Sequence, residues 1–303
     1  MTPFYPLLML PHVAAATIST ITPRPYGYGH PPGRKLGRAD PFEEFRYSEP
    51  GMVEINGDRY QMGSYISKGS FGSVYMAAHV ETGDLVAIKV ISNAIAESDT
   101  LEHAQDEIGF LTDLVLVESE NVVIILDSEE KPSSVAIVME LCTTSLLDWM
   151  AEYVPENGLV RERVISEFVS FFSNAIKQMR DEKIAHFDLA ARNILLCGDV
   201  WKVTDFDRAK QIEKDDDYAL VLDLANVGVS LQILLMGDQK SPFDPVKTRN
   251  DLLKFGGPLL GEFIFKLLTS KIRTLPEFND QVNKILQPEK QGHSSEVRNI
   301  RLP

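Results

Sequence analysis

The run Ala185-His186-Phe187-Asp188-Leu189-Ala190-Ala191-Arg192-Asn193, followed eleven positions later by Thr204-Asp205-Phe206-Asp207, constrains this chain more than any other stretch. Between them, Ile194-Leu195-Leu196 and Trp201-Lys202-Val203-Thr204 read as two short strands. Cys197-Gly198-Asp199-Val200 is the turn that joins them. A hairpin of this length returns the chain to its start. The side chains of Asp188, Asn193 and Asp205 are therefore expected around one point.

The composition permits a large fold and narrows the partners. At 303 residues and 44% hydrophobic, the chain can bury a core of one two-lobed domain or two small ones. Thirty Lys and Arg against 44 Asp and Glu give a net charge of −14, which excludes a nonspecific electrostatic hold on nucleic acid. No basic patch of useful length offsets it. Cys142 and Cys197 both stand in apolar surroundings, so no disulfide framework is expected and a reducing compartment is. The six histidines show no metal-ligand spacing.

Residues 1–57 differ from the rest: apolar and broken by Pro3, Pro6 and Pro11, then dense in Pro, Gly and Arg. They read as a disordered extension. No secretory signal is expected, because the first basic residue is Arg24 and prolines interrupt the apolar run. No apolar run of bilayer length is apparent, and no membrane partner is expected. Tyr60 to Ile66 is the first strand signal, leading into the glycine-rich turn Ser67 to Tyr75 with Gly69 and Gly72. Leu85 to Ile91 is an apolar strand with one lysine inside it, Lys89, and a lysine in a buried strand needs an anion. A helix over Asp99–Leu114 offers Glu107, or Glu102 after a shift of register. Asn121–Leu126 and Ser134–Leu141, separated by the polar turn Asp127 to Pro132, read as strands that complete a five-stranded antiparallel sheet.

From Ser145 the apolar period changes from two to about 3.6. Helices are expected around Leu146–Met150, over Arg161–Asp181, Leu220–Met236, Asn250–Leu268 and Pro276–Leu286, with a polar tail over residues 287–303. The aromatics of Arg161–Asp181 fall on one face and read as core packing. No internal repeat is present.

The order of these motifs, over about Asp58–Leu286, resembles the eukaryotic protein-kinase domain. The resemblance implies a bilobal α+β fold, with a small lobe over residues 58–142 and a helical lobe over residues 143–286. It implies ATP and Mg²⁺ as cofactors, and a protein substrate or regulatory protein as partner. By that resemblance Asp188 is the catalytic base and Lys89 holds the nucleotide phosphates, paired with Glu107. Asn193 and Asp205 bind metal. Gly69, Gly72, Val74, Ala87, Met139, Glu140 and Cys142 line the nucleotide site, with Met139 guarding the back of the adenine pocket and Glu140 to Cys142 forming the hinge. It further implies a cytoplasmic location, and an apolar spine of Ile125, Leu111, Phe206 and His186 with Asp223 beneath.

Within the family, the form DLAARN is similar to tyrosine kinases. The segment from the hinge onward and the acidic run Glu213 to Asp217 are similar to the IκB-kinase-related group. Four departures stand out. Ser67 replaces a glycine. Phe187 replaces the arginine that in many members pairs with a phosphorylated activation loop. Asp207 replaces a glycine whose freedom at positive φ lets the segment adjust. Only fifteen residues, Arg208 to Leu222, separate Asp207 from Asp223, and no APE motif lies among them. An active kinase, a pseudokinase and a small-molecule phosphotransferase are all compatible with this set.

Overall fold

The computed structural model describes residues 51–68, 72–92, 100–132, 134–153, 158–213, 216–237 and 243–291. Strands β1 (Met52–Ile55), β2 (Asp58–Lys68), β3 (Gly72–His79) and β4 (Leu85–Ser92) lead into helix α1 (Thr100–Leu116). Strands β5 (Ile125–Lys131) and β6 (Ser134–Glu140) follow, and the sheet runs β1-β2-β3-β4-β6-β5 with antiparallel neighbours.

The sheet has six strands where five were expected. The additional one, β1, lies inside the stretch read as a disordered extension to residue 57. Its cause is local: Asn56 (φ 49°) and Gly57 (φ 94°) adopt the left-handed backbone of a two-residue hairpin, with Ile55 opposite Asp58. Val53 and Ile55 are then fully buried with Tyr60, Ala77, Val86, Ile88, Val90, Ala136 and Val138. The Asn56 side chain also crosses the sheet, donating to Asp127 Oδ1 and to the Ser128 carbonyl at 2.8 Å each.

Alternation along β4 assigns its residues to two cores. Val86, Ile88 and Val90 face the β1 side, while Ile91 joins Ile137 and Met139 in the main core. Both faces are covered, which is why β4 reads as a nearly continuous apolar run. Strand β5 begins at Ile125 and continues through Asp127 to Lys131, residues expected to form a turn. It is an edge strand with half-exposed side chains, so its polarity costs nothing.

The second lobe starts with β7 (Thr144–Ser145) and α2 (Leu146–Tyr153), then α3 (Gly158–Asp181). Ile165, Phe168, Val169, Phe172, Ile176 and Met179 of α3 are buried, in agreement with the expected apolar face. Short strands β8 (Ile184–Ala185), β9 (Ile194–Cys197), β10 (Val200–Val203) and β11 (Lys210–Gln211) carry the loops of interest. Helices α4 (Asp217–Met236), α5 (Pro245–Leu268) and α6 (Leu275–Gln291) complete the lobe. The last reaches into the stretch read as a polar tail, and α5 bends at Gly257-Pro258.

One reading of the apolar runs is corrected. With a mean hydropathy of 1.9, the 20-residue α4 is long and apolar enough to cross a bilayer. Its Leu220, Leu224, Val227, Leu231, Leu234 and Leu235 are instead buried in the lobe's core. Asp216 caps it by accepting from the Ala219 N–H at 3.0 Å.

Candidate active site

Alternation on β4 turns Lys89 to the same face as Ile91, between the sheet and α1. Its ammonium, 3% exposed as a residue, donates to both Glu107 carboxylate oxygens at 2.8 Å and to Asp205 Oδ1 at 2.6 Å. Glu107 is itself 1% exposed, so α1 delivers this carboxylate rather than Glu102's position. Burial pushes the Lys89 pKa down, but the charges of Asp205, Glu107 and Asp207 outweigh it and hold the ammonium protonated. Burial lifts the Glu107 carboxyl above its ordinary range against the pull of Lys89. Two short hydrogen bonds from an ammonium require the proton to stay on Lys89. Against the upward push of burial, Lys89 holds Asp205 below its ordinary value.

The register of the sheet places Val74 opposite Lys89, and Ala87 opposite Met139. Directly opposed residues share a face, and Ala87 stands two positions from Lys89, so Val74, Ala87 and Met139 line one surface with Lys89. Gly72 has a tighter reason to be glycine than a nucleotide would give: a Cβ there would stand 2.7 Å from the Val90 carbonyl oxygen and 2.8 Å from Ile91 Cγ1. Gly69 lies outside the described residues.

Asp188 is 5% exposed and follows β8 through His186 and Phe187. Both of its carboxylate oxygens accept from Arg192 Nη2, at 2.5 and 2.6 Å. The intervening chain is a 3₁₀ turn, Ala191–Asn193, and Asn193 donates its Nδ2 to the Asp188 carbonyl at 2.9 Å. That bond turns the amide oxygen of Asn193 the other way. Asp223 of α4 sits beneath, accepting from the His186 N–H at 3.2 Å and the Phe187 N–H at 2.7 Å. Phe187 is thereby held at φ 59°, an uncommon conformation for a bulky side chain.

His186 is buried and joins the two motifs. The Asp188 N–H donates to its Nδ1 at 3.2 Å, so Nε2 carries the ring hydrogen and donates to the Thr204 carbonyl at 3.0 Å. Its ring packs on Phe206 with centroids 4.6 Å apart. Leu111 and Phe206 are fully buried in the same core, and Ile125 packs against it. Of the expected spine, the His186–Phe206 contact is made, and its other members share one core.

Asp205 takes the left-handed backbone (φ 65°), whereas Asp207 lies in the 3₁₀ turn Phe206–Arg208. The positive φ expected at position 207 therefore belongs to position 205, and the backbone accepts an aspartate at 207. The cost is electrostatic. Asp207 is 3% exposed, and neither carboxylate oxygen has a hydrogen-bond partner. Burial first, and the charge of Asp205 second, push its carboxyl up to about 7.

At the hinge, Glu140 Oε1 accepts from the Ile124 N–H and from Lys202 Nζ, each at 2.7 Å. Cys142 and Cys197 form a disulfide, where no disulfide framework was expected. Sequence spacing hid this pair, because 55 residues separate cysteines that the pairing of β7 with β9 brings together. Arg192 and Lys202 were also not singled out as site residues. An arginine at i+4 from a loop carboxylate, and a lysine inside an apolar strand, were the available signals.

Among the described residues, no three His, Cys, Asp or Glu side chains gather as a metal-binding group. Asn193 and Asp205 supply hard oxygen atoms from the two ends of the β9–β10 hairpin. A partial set of this kind suits Mg²⁺, which keeps waters and substrate oxygens in its shell.

Residues 60–227 match the family model described as protein kinase domain. The chain is 31% identical over 157 residues to serine/threonine-protein kinase atg1 of Aspergillus clavatus, covering 46% of this chain and 17% of that protein. It is 33% identical over 148 residues to serine/threonine-protein kinase unc-51 of Caenorhabditis elegans, covering 48% and 17%. To the carbon catabolite-derepressing protein kinase of Candida tropicalis it is 30% identical over 150 residues, covering 49% and 23%. The match thus spans about a fifth of the length of these relatives. Half of the chain matched by the family model, with the Lys89, Glu107, Asp188, Asn193 and Asp205 constellation inside it, places the chain in the eukaryotic protein kinase superfamily.

Proposed function

We propose that this chain binds Mg-ATP and transfers its γ-phosphoryl group to a protein hydroxyl. The observation that carries the reading is Lys89, bonded at once to Glu107 of α1 and to Asp205. That arrangement needs α1 turned inward and Asp205 facing the cleft, the two conditions for phosphoryl transfer in this family. When bound, Mg-ATP supplies the transferable phosphoryl group and the metal charge that neutralises it.

The chain's own residues then divide the work. Lys89 holds phosphate oxygens, and Asn193 and Asp205 hold the metal. Val74, Ala87 and Met139 form an apolar surface for the base, with the hinge backbone over Glu140 to Cys142 beside it. Asp188 accepts the proton of the attacking hydroxyl. Arg192 keeps the Asp188 carboxylate aimed. His186, fixed through Thr204 and Asp223, sets the distance between the Asp188 and Asp205 loops.

A second reading, a pseudokinase acting through a protein partner, draws on a different observation. Only eight residues, 209–216, join the turn at Phe206–Arg208 to α4. Positioning supplies most of the rate in phosphoryl transfer, and so short a link leaves little chain to seat a peptide. Nucleotide binding is the part least affected.

The test compares Mg-ATP binding, autophosphorylation and phosphorylation of a generic peptide library by the wild type and Asp188→Asn. Mg-ATP binding with turnover that Asp188→Asn abolishes supports the kinase reading. Binding without turnover by either form supports the pseudokinase. No thermal stabilisation at millimolar Mg-ATP would sink the nucleotide-binding reading itself, since ligand at a hundred times its Kd adds about 2.7 kcal/mol.

A further inference from the structure

The segment from Glu140 to Ser145 links the two lobes and is tied to the β9–β10 hairpin at Glu140 and again from Cys142 to Ser145. At one end Glu140 is paired with Lys202 of β10 at 2.7 Å. In the middle Cys142 is bonded to Cys197, the last residue of β9. Beyond it the Thr143 N–H and hydroxyl both donate to the Leu196 carbonyl, at 2.8 and 3.1 Å, and Thr144 and Ser145 pair with Leu196 and Leu195. The same hairpin carries Asn193 at one end and Asp205 just past the other. Of these ties, only the disulfide can be made and broken by chemistry that leaves the rest of the fold in place.

We propose that the Cys142–Cys197 disulfide is a reversible redox lock on the nucleotide cleft. Closed, it fixes the hinge backbone against the hairpin that bears both metal ligands, so the nucleotide meets a preformed site. Open, the hinge is held by the ion pair and hydrogen bonds alone, and it loosens. The position explains why the cysteines need no wider disulfide framework. A single bond at the pivot restrains the relative movement of two lobes.

The step balances with a low-molecular-weight thiol as reductant. One thiolate attacks a protein sulfur, breaking the S–S bond and releasing the other cysteine; a second thiolate displaces the first small molecule as its disulfide. Two electrons pass to the protein sulfurs, and two protons end on them. Oxidation is the reverse, with a small-molecule disulfide as oxidant.

Because its regulatory meaning rests on the nucleotide-site reading, the test has one readout that does not. The full chain is equilibrated in glutathione buffers of graded redox ratio. Thiols are counted by alkylation and intact mass, hydrogen exchange is followed without nucleotide over residues 140–145 and 194–197, and the Kd for Mg-ATP is measured. We expect the thiol count to pass from zero to two while the fold persists. Exchange over both segments accelerates on reduction, and the Kd rises about 3- to 10-fold. Cys197→Ser behaves as the reduced form and does not respond to the buffer.

Two free thiols in fully oxidised glutathione, or reduction only on unfolding, would overturn the lock. So would equal exchange in both redox states, or an equal Kd. Redox-dependent exchange in a chain that binds no Mg-ATP in either state upholds the lock and sinks the nucleotide reading. Mg-ATP binding of equal strength in both states does the opposite.

Discussion

A single nitrogen of Arg192, Nη2, serves both carboxylate oxygens of Asp188, at 2.5 and 2.6 Å. The base is therefore aimed by a residue four positions on in its own loop, across one 3₁₀ turn. Arg192→Ala should lower phosphoryl transfer about 10- to 100-fold while changing Mg-ATP affinity less than threefold. Arg192→Lys should recover little, since a compact ammonium on a flexible stem does not reproduce the extended, planar guanidinium. Equal losses in transfer and nucleotide affinity would show that Arg192 acts on nucleotide instead of on Asp188.

Lys89 neutralises two carboxylates at once. Lys89→Met should abolish thermal stabilisation by Mg-ATP. It should also destabilise the nucleotide-free protein by about 3–5 kcal/mol, because Glu107 and Asp205 lose a buried partner. Urea unfolding at neutral pH measures the second effect. A variant as stable as the wild type would mean that Glu107 turns to solvent at little cost.

Asp207 makes stability depend on pH with a sign opposite to that of most acidic groups. Its ordinary value of 3.8 is raised to about 7 in the folded chain, so folding retains a proton there. The stabilising contribution is full below about pH 4 and is lost as pH rises through about 7. In magnesium-free buffer, the wild type should lose unfolding free energy between pH 5 and pH 8 relative to Asp207→Asn. The size is on the order of 1–3 kcal/mol. Parallel profiles for the two proteins would show that the carboxylate finds solvent.

Asp223 holds Phe187 in the left-handed region through a 2.7 Å hydrogen bond. Asp223→Ala removes the acceptor of the buried His186 N–H and the half-buried Phe187 N–H, and releases the strain they contain. We expect a loss of about 2–4 kcal/mol in urea unfolding. Phosphoryl transfer should fall as well, because Asp188 follows directly on Phe187. A change under about 1 kcal/mol would indicate that another group, or water, replaces the carboxylate.

The parts of this fold that were legible in sequence are those where a polar residue stands in an apolar setting. Lys89 in β4 announced an anionic partner by its apolar surroundings, and Glu107 supplies it; the place of Asp223 came from the family resemblance, and it accepts from the His186 and Phe187 N–H groups. The β1 strand was missed because its signal, Asn56-Gly57 beside Val53 and Ile55, adjoins a stretch dense in proline and glycine. Strand β5 was misplaced because an edge strand keeps few apolar residues, and Asp127 to Lys131 look like a turn. The disulfide and the Glu140–Lys202 pair were illegible for a different reason. Both join residues far apart in sequence, and only the pairing of β7, β9 and β10 puts them side by side.

The Asn56 side chain, which reaches from the β1–β2 turn to Asp127 and Ser128, changes how the small lobe meets other chains. A curled sheet normally ends in two rows of open backbone groups, each a template for an added strand. Here the outermost strands are pinned toward each other, so an incoming strand finds the approach narrowed from both sides. Docking on this lobe is thus left to side chains and loops, and self-association by strand addition is discouraged. A shorter form beginning after Gly57 would lose that protection, expose the flank of β2, and be more prone to aggregate than the chain described here.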